Sequence, residues 1–172
     1  MAQIEYKDLP AIREKHKNQK IVFASGGFDI MHGGHVLFFE DCKSQGDVLV
    51  VAIADDKIIK RDKGEKRPVL NEYIRIKMVD ALKPVDYVFM DRVEYLKETP
   101  EGSRALHIIG NFLEALRPDK YVVNEDAFDM PYREELARKH GVELVVLKRW
   151  FPPEFDEVST SKIIKKVKEL EP

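Results

Sequence analysis

Five short apolar runs alternate with segments of helical spacing along this chain of 172 residues. The runs are IVFAS (21–25), VLVVAIA (48–54), DYVFM (86–90), KYVVN (120–124) and VELVVLK (142–148). Strands that alternate with helices need crossover connections, and crossovers produce a mostly parallel sheet. Strands that are apolar along their whole length indicate a sheet covered on both faces. We therefore predict an α/β fold, a single domain over residues 1–172 with a five-stranded parallel sheet and helices on both faces.

The segments between these runs carry helix signals. Helical spacing predicts helices over residues 35–44, 71–83, 93–117, 133–141 and 159–170. Asn71 is a plausible N-cap, as is Ser159 or Thr160, and Gly141 occupies a C-cap position. The 93–117 segment is interrupted by Pro100, Gly102 and Gly110, and residues 57–70 are predicted to form a basic loop closed by Pro68.

Charge and cysteine content exclude several broad classes. Lys and Arg total 29 against 31 for Asp and Glu, a balance that does not favour a nucleic-acid or membrane-surface binder. Cys42 is the single cysteine, so no intrachain disulfide is possible, which suits a reducing compartment. The charged first twenty residues lack the apolar region of a signal peptide, and no apolar run is long enough to span a bilayer. We expect a cytoplasmic protein.

The segment GGFDIMHGGH (26–35) directly follows the first apolar run. Ligands of such sheets bind at the carboxyl ends of the strands, which is where this segment would lie. This segment has two explanations that involve no ligand. The glycines serve only a tight turn, and the histidines are simply half-buried and hydrogen-bonded. A zinc site is disfavoured because it needs three or four protein ligands and the other histidines and Cys42 lack companions at ligand spacing.

A phosphate site has more physical support. Gly26 and Gly27 allow close approach of the backbone, while Gly33 and Gly34 keep the helix entrance free of side chains. Free N–H groups and the positive end of the dipole favour an anion at a helix N-terminus. His32 and His35 can both donate an N–H to phosphate oxygens, and such donors become catalytic when charge develops on those oxygens during reaction.

The segment resembles the GxFDxxHxGH signature of the cytidylyltransferase-like nucleotidyltransferases, whose fold is Rossmann-like. Other blocks follow in the order of the family and are GDVLVVAIADD (46–56), KRDKGEKRPV (60–69), KPVDYVF (83–89), RPDKYVVNED (117–126) and VSTSKIIKK (158–166). The 60–69 and 158–166 blocks are most similar to the heptose-1-phosphate adenylyltransferase half of bacterial ADP-heptose synthase. The chain departs from that branch at Asn124 and Glu125 and in two longer segments, 95–115 and 150–157.

The resemblance implies an enzyme that transfers a nucleotidyl group from a nucleoside triphosphate, ATP or CTP, to a small phosphorylated acceptor and releases pyrophosphate. It implies catalytic roles for His32, His35 and Lys63. It implies nucleotide contacts from Gly27, Phe28, Asp29, Gly34, Asp126, Ser159, Thr160 and Ser161. It implies phosphate or substrate contacts from Lys60, Arg61 and Arg75, although a surface ion pair of Arg75 with Glu72 or Asp80 is an alternative.

The resemblance further implies Mg²⁺ held mainly by the phosphates and water, with no protein metal ligand, and a homodimer. Three activities fit the family: an ATP-dependent sugar- or polyol-phosphate adenylyltransferase, a CTP-dependent cytidylyltransferase acting on glycerol 3-phosphate or an amino-alcohol phosphate, and an FAD synthetase-like adenylyltransferase. Trp150 covers the sheet edge or lines an acceptor pocket, and the sequence does not choose between these. Cys42 lies on an apolar helix stripe and is predicted to pack in the core.

Overall fold

A computed structural model of the chain describes residues 2–92 and 107–170. Its strands are β1 (Ala2–Gln3), β2 (Ile21–Gly26), β3 (Val48–Ala54), β4 (Tyr87–Asp91), β5 (Lys120–Asn124) and β6 (Glu143–Leu147). Its α-helices are α1 (Leu9–Lys15), α2 (Gly33–Ser44), α3 (Asp56–Lys63), α4 (Glu72–Asp80), α5 (His107–Leu116), α6 (Met130–His140) and α7 (Thr160–Lys168). A short 3₁₀ turn, Tyr6–Asp8, precedes α1.

The strands form one parallel sheet in the order β1-β4-β3-β2-β5-β6. The chain runs outward from β2 through β3 to β4 and then returns to the other side of β2 with β5. The strand order therefore reverses between β2 and β5, which is the switch point where ligands bind in sheets of this kind.

The prediction of a parallel α/β sheet is confirmed, but the sheet has six strands rather than five. The additional strand, β1, pairs with β4 through Ala2 and Gln3. Both residues are exposed, so this edge strand lacks the apolar pattern by which buried strands are recognised in a sequence.

Each face of the sheet buries its own core. One face packs Phe23, Phe89 and Tyr121 of the strands against Phe112 of α5. The other packs Leu49 and Val51 against residues of α2 and α4, among them Cys42, which is fully buried as predicted. Fully apolar strands such as β3 follow from this arrangement, because both sides of the strand are covered.

The predicted basic loop over residues 57–70 is wrong in its first half, where the chain forms α3. The Asp55 side chain accepts a hydrogen bond from the backbone N–H of Ile58, which caps this helix. Ile58 and Ile59 are buried and hold α3 against the sheet, whereas its charged residues other than Asp56 are exposed. The remaining predicted helices are found with ends shifted by a few residues, and Asn71, Ser159 and Gly141 are caps as predicted. Residues 93–106 of the predicted 93–117 helix lie outside the described residues.

Two carboxyl groups meet where β3 and β4 end. Asp91 is 6% exposed, and its Oδ1 atom has no hydrogen-bond partner. The backbone N–H of Asp55 donates to the Asp91 carbonyl oxygen at 2.9 Å. Burial, and then the nearby charge of Asp55, raise the pKa of Asp91 well above its ordinary value.

Within the described residues, no helix is both long and apolar enough to cross a membrane.

Candidate active site

The loop between β2 and α2 takes an unusual path at the switch point. Phe28 and Ile30 both adopt positive φ angles, 47° and 48°. A Cβ atom on Gly26 would lie 2.9 Å from the Phe28 ring, so any larger residue at that position would displace the ring. The loop thereby places Phe28 back over the end of β2, and the chain then enters α2 at His32.

His32 and His35 close the N-terminus of α2 with reciprocal hydrogen bonds. His32 is the N-cap, and its Nδ1 atom accepts from the Gly34 N–H at 3.2 Å. His35 Nδ1 accepts from the His32 N–H at 3.4 Å. The two rings stack with centroids 4.0 Å apart. Because each Nδ1 is an acceptor, each neutral ring carries its proton on Nε2, which leaves two N–H donors for a ligand.

Both imidazoles are held in the neutral form. Burial and then the Arg149 charge lower the pKa of His32. Burial, the neighbouring His32, Arg149 and Lys63 lower the pKa of His35 to about 3, against a smaller opposing effect of Asp29. Four positively charged or chargeable groups therefore lie close to one another, an environment that suits a strongly anionic ligand.

Asp29 stabilises the loop between β2 and α2. Its carboxylate, 4% exposed, accepts from the backbone N–H groups of Val69 and Leu70, both at 2.9 Å, and pairs with Arg67 at 2.6 Å. Burial alone would raise the pKa of Asp29, but these two backbone hydrogen bonds and then Arg67 outweigh it and hold that pKa below its ordinary value. Asp29 thus fastens the histidine loop to the segment after α3.

A cavity of about 340 Å³ opens in front of the two histidines. Its lining residues are His32, Gly34, His35, Leu37, Phe38, Asp41, Lys63, Asn124, Asp126, Lys148, Arg149, Trp150, Phe151, Val158, Ser159, Thr160 and Ser161. They come from α2, the end of α3, the ends of β5 and β6, and the start of α7. Cavities of this size accommodate small-molecule ligands.

Most of the residues singled out in the sequence meet at this cavity. Those that line it are His32, Gly34, His35, Lys63, Asp126, Ser159, Thr160 and Ser161. Ser159 caps α7, and the Thr160 hydroxyl donates to the Asp29 carbonyl oxygen at 2.9 Å. The N-termini of α2 and α7 are therefore tied together and both face the cavity.

Six of the residues to which the resemblance assigns a role do not line the cavity. Gly27, Phe28 and Asp29 shape the loop behind the histidines, with the Phe28 ring meeting the His35 ring edge-on at 5.6 Å. Lys60 and Arg61 are exposed on α3, where Arg61 pairs with Asp62.

Arg75 does not line the cavity either, and its side chain is fully buried. Its guanidinium donates to the Leu70 and Gly27 carbonyl oxygens at 3.0 and 2.6 Å and to the Asp56 carboxylate at 2.8 Å. The alternative of a surface ion pair on its own helix is wrong, since Asp56 lies on α3. The sequence shows an arginine on a helix but cannot show that three acceptors from other segments surround it.

Lys148 and Arg149 are cavity residues that sequence reasoning missed. Arg149 pairs with Asp126 at 2.8 Å, and its backbone N–H donates to Glu125 at 3.2 Å. The available signal was their position at the carboxyl end of the last apolar run, the edge of the sheet where the site lies.

The segment 150–158 folds back over the start of α2. Trp150 lines the cavity and donates from Nε1 to the Asp41 carboxylate at 2.9 Å. A Cβ atom on Gly34 would lie 3.1 Å from the His32 ring and 3.4 Å from the Phe151 ring, so the tight approach at this glycine is to His32 and the contact with Phe151 is an ordinary one. Of the two possibilities for Trp150, the structure shows that it lines a pocket.

Residues 2–92 and 107–170 bring together no group of three or more His, Cys, Asp or Glu side chains that could hold a metal ion. The two carboxylates that line the cavity both have partners, Trp150 for Asp41 and Arg149 for Asp126.

Residues 23–166 match the family described as Cytidylyltransferase-like. The chain belongs to this family. It is an enzyme, a nucleotidyltransferase. It is 37% identical over 141 residues to the Bifunctional protein HldE of Azotobacter vinelandii, a match covering 81% of this chain and 27% of that protein. It is also 37% identical over 147 residues to the FAD synthase of Aciduliprofundum boonei, covering 85% of this chain and 89% of that one. The chain thus spans less than a third of the HldE relatives and nearly the whole of this FAD synthase.

Two solved structures share the fold of this chain. A lipopolysaccharide core biosynthesis protein from Thermoplasma volcanium superposes with a TM-score of 0.56 at 28% identity, covering 78% of this chain and 98% of that one. The pantoate-beta-alanine ligase of Francisella tularensis superposes with a TM-score of 0.64 at 18% identity, covering 98% of this chain and 79% of that one, which is a likeness of fold alone.

Proposed function

We propose that this nucleotidyltransferase transfers an adenylyl group from ATP to a sugar phosphate or polyol phosphate and releases pyrophosphate, as a heptose-1-phosphate adenylyltransferase-like enzyme. The proposal depends above all on one observation, that two helix N-termini converge on a cavity lined by His32, His35 and Lys63. Such a site offers many donors to a polyphosphate, and its three cationic residues, Lys63, Lys148 and Arg149, outnumber its two carboxylates.

The two histidines supply neutral donors to this site. Their Nδ1 atoms are occupied by backbone N–H groups, so Nε2–H of each ring is the donor for phosphate oxygens. Because these donors are fixed before substrate arrives, they stabilise charge that develops on the α-phosphate without reorganising. Lys63 and Arg149 add positive charge on other sides of the cavity.

In the reaction proposed, an oxygen of the acceptor phosphate attacks the α-phosphorus of ATP. The bond from the α-phosphorus to the bridging oxygen breaks, and pyrophosphate leaves with that electron pair. The acceptor phosphate reacts as an anion, so no side chain is needed as a general base, and the protein contributes positioning and charge neutralisation. Bound Mg²⁺ would neutralise the triphosphate, held by phosphate oxygens and water rather than by the paired carboxylates Asp41 and Asp126.

The FAD synthase relative supports a second candidate, an adenylyl transfer from ATP to a flavin phosphate. That relative is matched over 89% of its length, whereas the HldE relatives are matched over less than a third of theirs. A CTP-dependent transfer to glycerol 3-phosphate or an amino-alcohol phosphate is the remaining alternative within the family. A homodimer is a further proposal that rests on the family resemblance, and a cytoplasmic location is a proposal that rests on the composition of the chain, with its single cysteine.

Pyrophosphate release tests these candidates directly. The full chain is incubated with Mg²⁺ and either ATP or CTP, together with heptose 1-phosphate, glycerol 3-phosphate, phosphoethanolamine or flavin mononucleotide. We expect release with ATP and the heptose phosphate. Release only with ATP and the flavin phosphate would replace the leading proposal by the second, and release with neither nucleotide would reject nucleotidyl transfer to these acceptors.

A further inference from the structure

The cavity is a groove along α2, with different chemistry at its two ends. His32 and His35 lie at the helix N-terminus, Leu37 and Phe38 follow, and Asp41 closes the far end. His35 and Asp41 are six residues apart, which corresponds to about 9 Å along a helix axis. A nucleoside whose triphosphate is anchored at the histidines and which extends along α2 would therefore reach Asp41.

Trp150 faces that far end with its polar atom already satisfied. Its Nε1–H donates to the Asp41 carboxylate, yet the residue is 52% exposed while lining the cavity. Because the N–H group already has a partner, what this residue offers to a ligand is its aromatic ring. Large exposed aromatic surfaces inside a concave site are typical of ligand contacts.

The position of the indole is held from two directions. Asp41 fixes the ring from α2, and the preceding residue, Arg149, is tied to Glu125 and Asp126 beyond the end of β5. A ring held in this way loses little conformational entropy when a flat ligand stacks on it. The cavity lining also offers polar groups from Asn124, Asp126 and Lys148, which suit the edge of a heterocycle.

We infer that Trp150 stacks on the nucleobase of the bound nucleoside triphosphate and that Asp41 is the positioning residue for its indole ring. This inference rests on the proposed function, because it needs a nucleotide bound with its phosphates at the histidines. A purine presents a larger ring surface than a pyrimidine, so stacking here favours ATP over CTP. Trp150 is then a specificity-determining residue for the donor.

Trp150 is the single tryptophan of the chain, so fluorescence excited selectively at tryptophan, and not at the six tyrosines, comes from this residue. The full chain is titrated with three probes: a non-hydrolysable ATP analogue, the matching CTP analogue and inorganic tripolyphosphate, with binding measured in parallel by calorimetry. We expect strong quenching by the ATP analogue, weaker quenching by the CTP analogue, and binding of tripolyphosphate without quenching.

Kinetic variants test the specificity role. Replacing Trp150 with Ala should raise KM for ATP about tenfold and should reduce the preference for ATP over CTP. The change in kcat should be less than about threefold. Trp150→Phe should keep most of the affinity for ATP and most of the preference for it. Asp41→Leu should reproduce part of the KM increase. Asp41→Asn, which keeps an acceptor for the indole N–H, should have a KM for ATP near the wild-type value. Tyr73→Ala is the matched control, an exposed aromatic on α4 that does not line the cavity.

The two proposals fail in different ways. Calorimetric binding of the ATP analogue without quenching, or a Trp150→Ala enzyme with unchanged KM and donor preference, would overturn the stacking and leave the nucleotidyl transfer intact. An absence of binding by all three probes would overturn both.

Discussion

The two histidines of the site each perform two tasks with one side chain. Nδ1 of His32 and of His35 caps the start of α2, and this leaves Nε2–H of each ring as a donor. Capping also fixes ring orientation, which a free histidine on a loop would lack. A sequence shows the pair three residues apart but not which nitrogen is occupied.

Replacing His35 with Ala should lower turnover by about 10²–10³, the range observed when one preorganised donor is removed. The fold should survive, because the hydrogen bond lost at 3.4 Å is a long one. Steady-state rates and a circular dichroism melt measure the two effects. A variant that turns over at the wild-type rate would contradict the role of the donor.

His35 should also make stability depend on pH. Its folded pKa, about 3, lies below the unfolded value near 6.5, so the unfolded chain binds the proton first as pH falls. The contribution of His35 to stability is therefore complete above about pH 6.5 and is lost progressively as pH falls toward 3, by at most about 1.4 kcal/mol per pH unit.

Urea unfolding between pH 4 and 8 checks this on the wild type and on His35→Gln. The variant should lose less stability than the wild type on acidification, and identical slopes would show that His35 is not held neutral in the fold.

At the level of elements, α3 and α4 form the wall behind the histidine loop. Arg75 of α4 reaches the Gly27 carbonyl oxygen in that loop and Asp56 in α3, so one buried side chain joins three segments. The sequence predicted α4 and its cap correctly. It did not predict α3, because only Ile58 and Ile59 of that helix face the core and the charged residues around them favour a loop.

Arg75→Met should therefore act on stability before it acts on substrate binding. It leaves Asp56 and two carbonyl oxygens without their partner, and we expect a loss of about 3 kcal/mol in the free energy of unfolding. KM for the nucleotide should stay within about threefold of the wild type, since Arg75 does not line the cavity. Lys77→Met, an exposed position on the same helix, is the control. A stable variant with a greatly raised KM would return Arg75 to a phosphate-binding role.

Across the whole molecule, the alternation of apolar runs and helices was sufficient to predict a parallel sheet, and the glycine–histidine segment located the site at its carboxyl edge. The partners of individual side chains could not be predicted, because they depend on the strand order. Arg149 reaches Asp126 only because β6 lies beside β5, and β1 escaped notice because a two-residue exposed edge strand has no apolar pattern.

The carboxyl pair at the ends of β3 and β4 should lower the free energy of unfolding at higher pH. The folded pKa of Asp91 is raised, so the folded chain holds this proton more tightly than the unfolded chain. Stability is then lost as pH rises above about 4 through the folded pKa of this residue.

Asp91→Asn should remove that loss, so the variant gains stability relative to the wild type as pH rises from 4 to 8. Urea unfolding across that range measures the difference, with exposed Glu134→Gln as the control. A difference that does not grow with pH would mean that Asp91 ionises normally.

The hydrogen bond from Thr160 to the Asp29 carbonyl joins positions 131 residues apart. A ribosome that adds 5–20 residues per second needs roughly 7 to 26 seconds to cover that distance. During this interval the emerging polypeptide carries the histidine loop but lacks the second wall of its pocket. The complete pocket therefore cannot form until residue 160 has been made. Nucleotide binding can stabilise only chains in which the Thr160–Asp29 hydrogen bond has formed.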